Sequence, residues 1–376
     1  MTFKYDKRTV LTLDAGGTNF VFSAIRGNEP VTEPLCLPCY AEDLEKCLEI
    51  FVQGFTAIME RLEEPPVAIS FAFPGPADYP GGIIGGQLPN LPAFRGGVAL
   101  GPFLEEAFGL PVFINNDGDL FAYGEALAGV LPAMNKQLEA AGSAKRFRNL
   151  LALTLGTGFG AGVVIGGELL IGDNSCGAEI FPSRNHKYPD YIVEESVSIR
   201  AVKRVYARLS DDPTNLTPKE IFDIAEGTRP GNREAARQSF AELGEIAGDA
   251  IANIIAMLDG LIVIGGGLAG AHKYFMPSLM AQLNGTIAMM DGTVLPRIPA
   301  RVYNLEEESG LEAFLKGSTT RIQVHGTNRL VDYDGAKRTG VILSRLGASK
   351  AIMLGAYAFA LNELDKKASF VASSLL

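Results

Sequence analysis

Basic charge is scarce in this sequence, and so is cysteine. Lysine and arginine total 33 against 43 acidic residues, giving a formal net charge of −10 and a pI near 5.0. An acidic surface repels phosphate backbones, and no dense run of Lys and Arg offsets it, so nucleic acid is not an expected partner. The four cysteines are Cys36, Cys39, Cys47 and Cys176. Their one Cys-x-x-Cys pair lacks a second pair or a histidine companion, so buried or incidental thiols in a reducing cytoplasm are expected. No apolar run is long and uninterrupted. The stretch 149–167 is uncharged but carries Gly156, Gly158, Gly160, Gly162, Gly166 and Gly167, each costing roughly 1 kcal/mol in a helix. The stretch 251–271 contains Asp259 and a triple glycine, which suits a buried helix followed by a buried strand. The run Val10–Leu13 is too short for a leader and leads straight into Asp14. Neither a signal peptide nor a membrane span is expected. A Walker sequence and a correctly placed G-x-G-x-x-G are also missing.

What is present is an ordinary globular balance: 376 residues, 47% hydrophobic and 20% charged, enough for two cores. Residues 8–14 read as a buried strand ending in a carboxylate, with a returning strand over 20–25. A helix is expected over 42–61, where Leu44, Cys47, Leu48, Phe51, Phe55 and Ile58 keep helical spacing. Strands over 67–73 and 112–115 flank a helix at 100–108, and this alternation indicates a largely parallel α/β layer. Residues 131–148 are polar without a strong period and are a candidate link between lobes. Helices are expected over 195–258, a strand over 261–264, a hairpin around Gly326-Thr327-Asn328 and an amphipathic helix over 349–365.

Three glycine turns carry the chemical interest. The first is Asp14-Ala15-Gly16-Gly17-Thr18-Asn19. Glycine lets backbone approach phosphate oxygens, Thr18 and Asn19 add donors, and Asp14 can hold Mg²⁺, through water; a tight hairpin with a polar tip explains the same residues. The second, Gly156-Thr157-Gly158-Phe159-Gly160, opens the second half as the first turn opens the chain, an echo that a duplicated domain would leave. The third, Gly265-Gly266-Gly267 after Ile262-Val263-Ile264, offers a surface without Cβ atoms for a flat ligand such as adenine. Asn115-Asn116-Asp117 follows a strand, where a carboxylate points into the usual ligand crevice of a parallel sheet. Asp117 then reads as a general base with Asn116 anchoring a neighbouring hydroxyl, or the pair is an Asx turn or helix N-cap. Glu125 reads as a helix-surface or supporting group.

In this order the motifs resemble the ROK family (repressors, open reading frames and sugar kinases) of the actin–hexokinase superfamily. The likeness rests on Asp14–Asn19, Phe73-Pro74-Gly75-Pro76 with Pro89-Asn90-Leu91, Asn116-Asp117 with Gly124-Glu125, Gly156–Gly160, Leu258-Asp259 with Gly265–Gly267, and the Ser344–Ala356 tail. It implies an α/β fold, the two-lobed actin-like ATPase (ribonuclease H-like) architecture with a duplicated α/β core. The expected lobes are 1–130, joined by the C-terminal helix 349–370, and 131–348. It further implies phosphoryl transfer from ATP with Mg²⁺ at Asp14 to a hexose or amino-sugar hydroxyl, with Asp117 as base. Gly16, Gly17, Thr18, Asn19, Gly156, Thr157 and Gly158 would hold phosphates. Gly266 and Gly267 would flank adenine, and Asn90, Asn116, Glu179 and Glu194 would read sugar hydroxyls.

The departures from the family pattern are local. The family's Gly-Glu-Ile-Gly-His segment appears as Gly177-Ala178-Glu179-Ile180-Phe181-Pro182, with proline where the histidine belongs. The Cys-rich zinc loop is missing too, so no structural zinc is expected; His186 is a candidate stand-in, or a solvated loop residue. The alternative reading is a non-catalytic sugar-binding regulator of the same fold, although Asp14 comes too early in this sequence for the repressors' DNA-binding segment. An actin-like or chaperone-like ATPase would leave Asn116-Asp117 unexplained. The sugar, its hydroxyl and any homo-oligomeric state are not written in these motifs.

Overall fold

A computed structural model describes residues 3–15, 18–86, 88 and 91–374. Contacts group the chain into two units: Met1–Gly129 with Gly162–Ala178 and Leu346–Leu376, and Val130–Ala161 with Glu179–Arg345. Residues 162–178, assigned to the second half from sequence, thus group with the first. The reason is steric. Gly162 packs against the helix Asp117–Leu127, where a Cβ on it would lie 2.7 Å from the Cβ of Ala122.

In the first unit, the strand Val10–Ala15 runs antiparallel to Asn19–Arg26 and parallel to Ala68–Ala72, which in turn pairs in parallel with Val112–Asn115. Val10 to Leu13 and all of Ala68–Ala72 are buried, as expected for strands covered on both faces. One face is covered by the helix Leu44–Met59. Asp43 caps it by accepting the Lys46 N–H, and Cys47, Phe51, Phe55 and Ile58 are buried along one side. Their rings interlock with those of the sheet: Phe20 and Phe51 lie 4.8 Å apart between centroids, Phe22 and Phe55 5.0 Å.

The opposite face carries Phe113, which pairs in register with Ser70 rather than Phe71 and meets Phe359 of the C-terminal helix Ala348–Ser374. That helix crosses Asp117–Leu127 at a glycine pair. A Cβ on Gly124 would strike the Ala351 carbonyl, and one on Gly355 would strike that of Leu120. Backbone therefore meets backbone at this crossing, and no other residue type fits.

The second unit repeats the order of returning strand, first strand and parallel partners. The second sheet, which takes in part of the segment 162–178, runs Glu168–Leu169, Phe159–Ile165, Leu150–Leu155, Leu261–Gly265, Arg338–Leu343, Arg301–Asn304, the last four mutually parallel. The helix Arg233–Leu258 starts on an Asn232 cap and packs Gly244 and Gly248 against the backbone of His272–Leu283. The α/β fold with a duplicated core is as the sequence motifs implied. Residues 131–148 differ from expectation: Val130–Ala140 is a helix with Val130, Leu131, Met134 and Leu138 buried. Its apolar side is only four residues wide, and Asn135, Lys136 and Gln137 between hid the period. The expected hairpin is present as Thr319–Gln323 and Leu330–Asp334; a second, Thr286–Ala288 with Val294–Pro296, was not foreseen. Among the described residues, no helix is long and apolar enough to cross a membrane.

Candidate active site

The first unit gathers its acidic candidates at strand ends. Asp14 ends the buried part of its strand and is exposed, and Thr18 and Asn19 are exposed beyond the turn. Gly16, Gly17 and Asn90 lie outside the described residues. Asn116 is the N-cap of Asp117–Leu127, its Oδ1 accepting the Gly118 N–H at 2.8 Å. Asp117 opens the helix, and its Oδ1 accepts the same N–H at 2.8 Å. The capping role therefore falls to Asn116, and Asp117 is held in orientation through its Oδ1.

Asp117 is exposed to solvent, yet its carboxylate has much of the protein close around it. That desolvation raises its pKa above the ordinary carboxylate value, the Gly118 N–H opposes the rise, and the charge of Asp14 adds to it. Asp14 and Asp117 thus lie within each other's electrostatic field. Glu125 is not on the helix surface: it is fully buried, and a Cβ on Gly129 would collide with its Oε2. Asn115 was missed. Its side chain is buried, and neither Oδ1 nor Nδ2 has a hydrogen-bond partner. The asparagine doublet was the only clue in the sequence.

The second unit carries the other two turns. Between the strands Leu150–Leu155 and Phe159–Ile165, the Gly156 N–H donates to the Gly158 carbonyl at 3.1 Å. Glu194, on the short helix Val193–Glu195, turns its Oε2 to the Phe159 N–H at 3.0 Å. A Cβ on Gly158 would lie 2.6 Å from that oxygen. The other oxygen of Glu194 accepts from Arg200 Nη2 at 2.9 Å, and Arg200 Nη1 donates to the Thr157 carbonyl at 3.3 Å. Sequence reasoning missed Arg200, whose clue is its position on the helix after Glu194-Glu195.

Gly266 and Gly267 divide the work expected of them jointly. Gly266 has φ +88° and lies against the Leu155 backbone, a Cβ there falling 2.6 Å from the Leu155 nitrogen. Leu268 N–H donates to the Leu155 carbonyl at 3.0 Å. Gly266 thus fastens the third turn to the strand that feeds the second, while Gly267 is exposed and faces open space.

Glu179 is exposed, following Ala178 at φ +62°. The segment after Pro182 closes on Asn185, which is fully buried. Asn185 donates to Ser196 Oγ at 2.8 Å and accepts the N–H groups of Lys187 and Tyr188, each at 3.1 Å. Lys187, Tyr188 and Arg208 converge on the carboxylate of Glu242. His186 lies 3.8 Å from Glu245 and 3.7 Å from Asp249. Cys176 is exposed, and no group of three or more His, Cys, Asp or Glu side chains among the described residues is arranged to hold a metal. Amide and ionic bonds hold this loop.

The pattern of the ROK family matches residues 10–303. The chain belongs to the ROK family. A crystal structure of a glucokinase from Parabacteroides distasonis is 61% identical, covers 96% of this chain and 99% of its own, and superposes with a TM-score of 0.90. The glucokinase of Streptomyces coelicolor is 30% identical over 188 residues, 44% of this chain. The match takes in 54% of that enzyme, so the chain spans about half the length of this curated relative. A ROK glucokinase from Streptomyces griseus, solved with glucose and AMPPNP, is 18% identical with a TM-score of 0.59 over 93% of this chain and 98% of its own. That likeness is one of fold.

Proposed function

We propose that this ROK protein is a carbohydrate kinase, transferring the terminal phosphoryl group of ATP to a hydroxyl of a hexose or amino sugar. The observation that carries the reading is Asp117: a carboxylate at the carboxyl end of a parallel strand, oriented by one N–H and raised in pKa by its surroundings. Such a group takes the proton from an attacking hydroxyl. Asp14 would hold Mg²⁺, which supplies charge neutralisation on the phosphates when bound. Gly16, Gly17, Thr18, Asn19 and the turn Gly156-Thr157-Gly158 would receive phosphate oxygens, and Gly267 would lie against adenine. Asn90, Asn116, Glu179 and Glu194 would read sugar hydroxyls, and such sites discriminate by leaving polar groups unpaired when a hydroxyl is missing. The likeness to the Parabacteroides distasonis glucokinase supports the same class of reaction.

The test is ADP release against a panel of hexoses and amino sugars, run with wild type and Asp117→Asn. At least one sugar should give turnover, and the variant should lose about 10²–10⁴-fold in kcat while still binding that sugar. Retention of half the activity would remove Asp117 from the role.

A further inference from the structure

We propose that Glu194 is an anion plug on the second phosphate turn, and that a sugar opens the turn to nucleotide by drawing Glu194 away. The proposal rests on the functional reading above, in which Glu194 binds a sugar hydroxyl and the turn binds phosphate.

A glycine turn receives phosphate through backbone N–H groups that no protein acceptor has already claimed. Here one of them is claimed. Phe159 N–H, at the foot of the turn, donates to a Glu194 carboxylate oxygen at 3.0 Å. A carboxylate oxygen brings the charge and hydrogen-bond geometry of a phosphate oxygen, so the two compete for one donor. The crowding is tight as well. Oε2 lies so close to Gly158 that a Cβ there would be 2.6 Å away, which leaves no room for a second anion on that side. The backbone of Glu194 is anchored, since Ser198 Oγ donates to its carbonyl at 2.8 Å. Only the side chain has to move.

The neighbouring charges say what its departure leaves behind. Arg200 pairs with Glu194 at 2.9 Å and Glu195 at 2.8 Å, and Arg204 takes the other oxygen of Glu195 at 2.9 Å. With Glu194 in place, two arginines meet two glutamates. With Glu194 turned to a sugar hydroxyl, two arginines share Glu195, and Arg200 still donates to the Thr157 carbonyl at 3.3 Å. The turn then gains a free N–H and, beside it, a guanidinium that only the shared Glu195 offsets. A phosphate-binding site is assembled by the same motion that engages the sugar. Nucleotide is held weakly, and its hydrolysis by water suppressed, until an acceptor is present.

Calorimetric titration of the full-length protein with MgAMPPNP, without sugar, tests this directly. Glu194→Gln keeps the shape and removes the charge, and Glu194→Asp is too short to span to Phe159. Both should bind nucleotide on the order of ten-fold more tightly than wild type, the worth of one charge-assisted hydrogen bond. Thermal melts identify any variant that does not fold, and the other then decides. Unchanged or weaker nucleotide binding in a folded variant would overturn the plug and leave Glu194 a brace of the turn. Wild-type phosphorylation of glucose and N-acetylglucosamine is measured alongside. Turnover in wild type with no gain in the variants sinks the plug alone, whereas no turnover with any sugar sinks the functional reading.

Discussion

The third glycine turn separates two effects that sequence alone merges, and a pair of substitutions measures each. Consider Gly266→Ala. At φ +88° an L-residue pays about 1–2 kcal/mol for a left-handed backbone. The new methyl would sit 2.6 Å from the Leu155 nitrogen, about 0.8 Å inside ordinary contact, and forcing a methyl into packed backbone costs roughly 1–3 kcal/mol more. The sum, about 2–5 kcal/mol, lowers the melting temperature by roughly 5–15 °C for a unit of this size. A Cβ on Gly267 meets nothing within 4 Å, so Gly267→Val should melt within about 2 °C of wild type, the usual range for an exposed change. If adenine lies over Gly267, its two methyl groups occupy the ligand's place, and the Kd for MgAMPPNP should rise at least about ten-fold, a loss of about 1.4 kcal/mol. Sugar affinity should not change. Differential scanning fluorimetry and calorimetry read both. A Gly267→Val protein that binds nucleotide like wild type would refute the adenine placement; a Gly266→Ala protein that melts like wild type would refute the contact with Leu155.

Asp117 carries a pH signature in both activity and stability. Its folded pKa is raised, so turnover should fall on the acid side through a pKa above the ordinary carboxylate range, as a pH profile of kcat would show. Because the folded state then holds its proton to higher pH than the unfolded state, stability falls as pH rises between the two values. Asp117→Asn removes that loss: it should melt higher than wild type at neutral pH, with the difference vanishing below about pH 4, as melts across pH would record. Asn185→Ala should cost about 2–4 kcal/mol by leaving the N–H groups of Lys187 and Tyr188 without their acceptor. Chelation with EDTA followed by dialysis into Mg²⁺ should leave the melting temperature unchanged, and stoichiometric zinc in the purified protein would contradict the reading of Pro182.

What the sequence made legible was mostly local. The helix Leu44–Met59 follows from six apolar residues at helical spacing, and the strands Val10–Ala15, Ala68–Ala72 and Leu261–Gly265 from short apolar runs. The position of Asp117 at a strand end was visible for the same reason, but its division of labour with Asn116 was not, because either side chain satisfies Gly118. Features set by partners distant in sequence stayed hidden. Nothing near Gly266 announces Leu155, nothing near Glu125 announces its burial, and nothing near Glu194 announces that its carboxylate rests on Phe159. Helix Val130–Ala140 was hidden by its narrow apolar side, which reads as a loop until its buried face is known.

The glycine crossing of Gly124 and Gly355 has a consequence for synthesis. The helix that carries Asp117 emerges from the ribosome well before the helix it must lie against, Ala348–Ser374. All of 179–345 is translated in between. Until then the sheet face bearing Phe113 has no cover, and the first unit waits, open on one side, while the second can complete its own core. A nascent chain released before residue 346 would carry the base without its support. A stop within the helix Ala348–Ser374 should therefore yield a protein whose second unit is folded and whose first is prey to proteases.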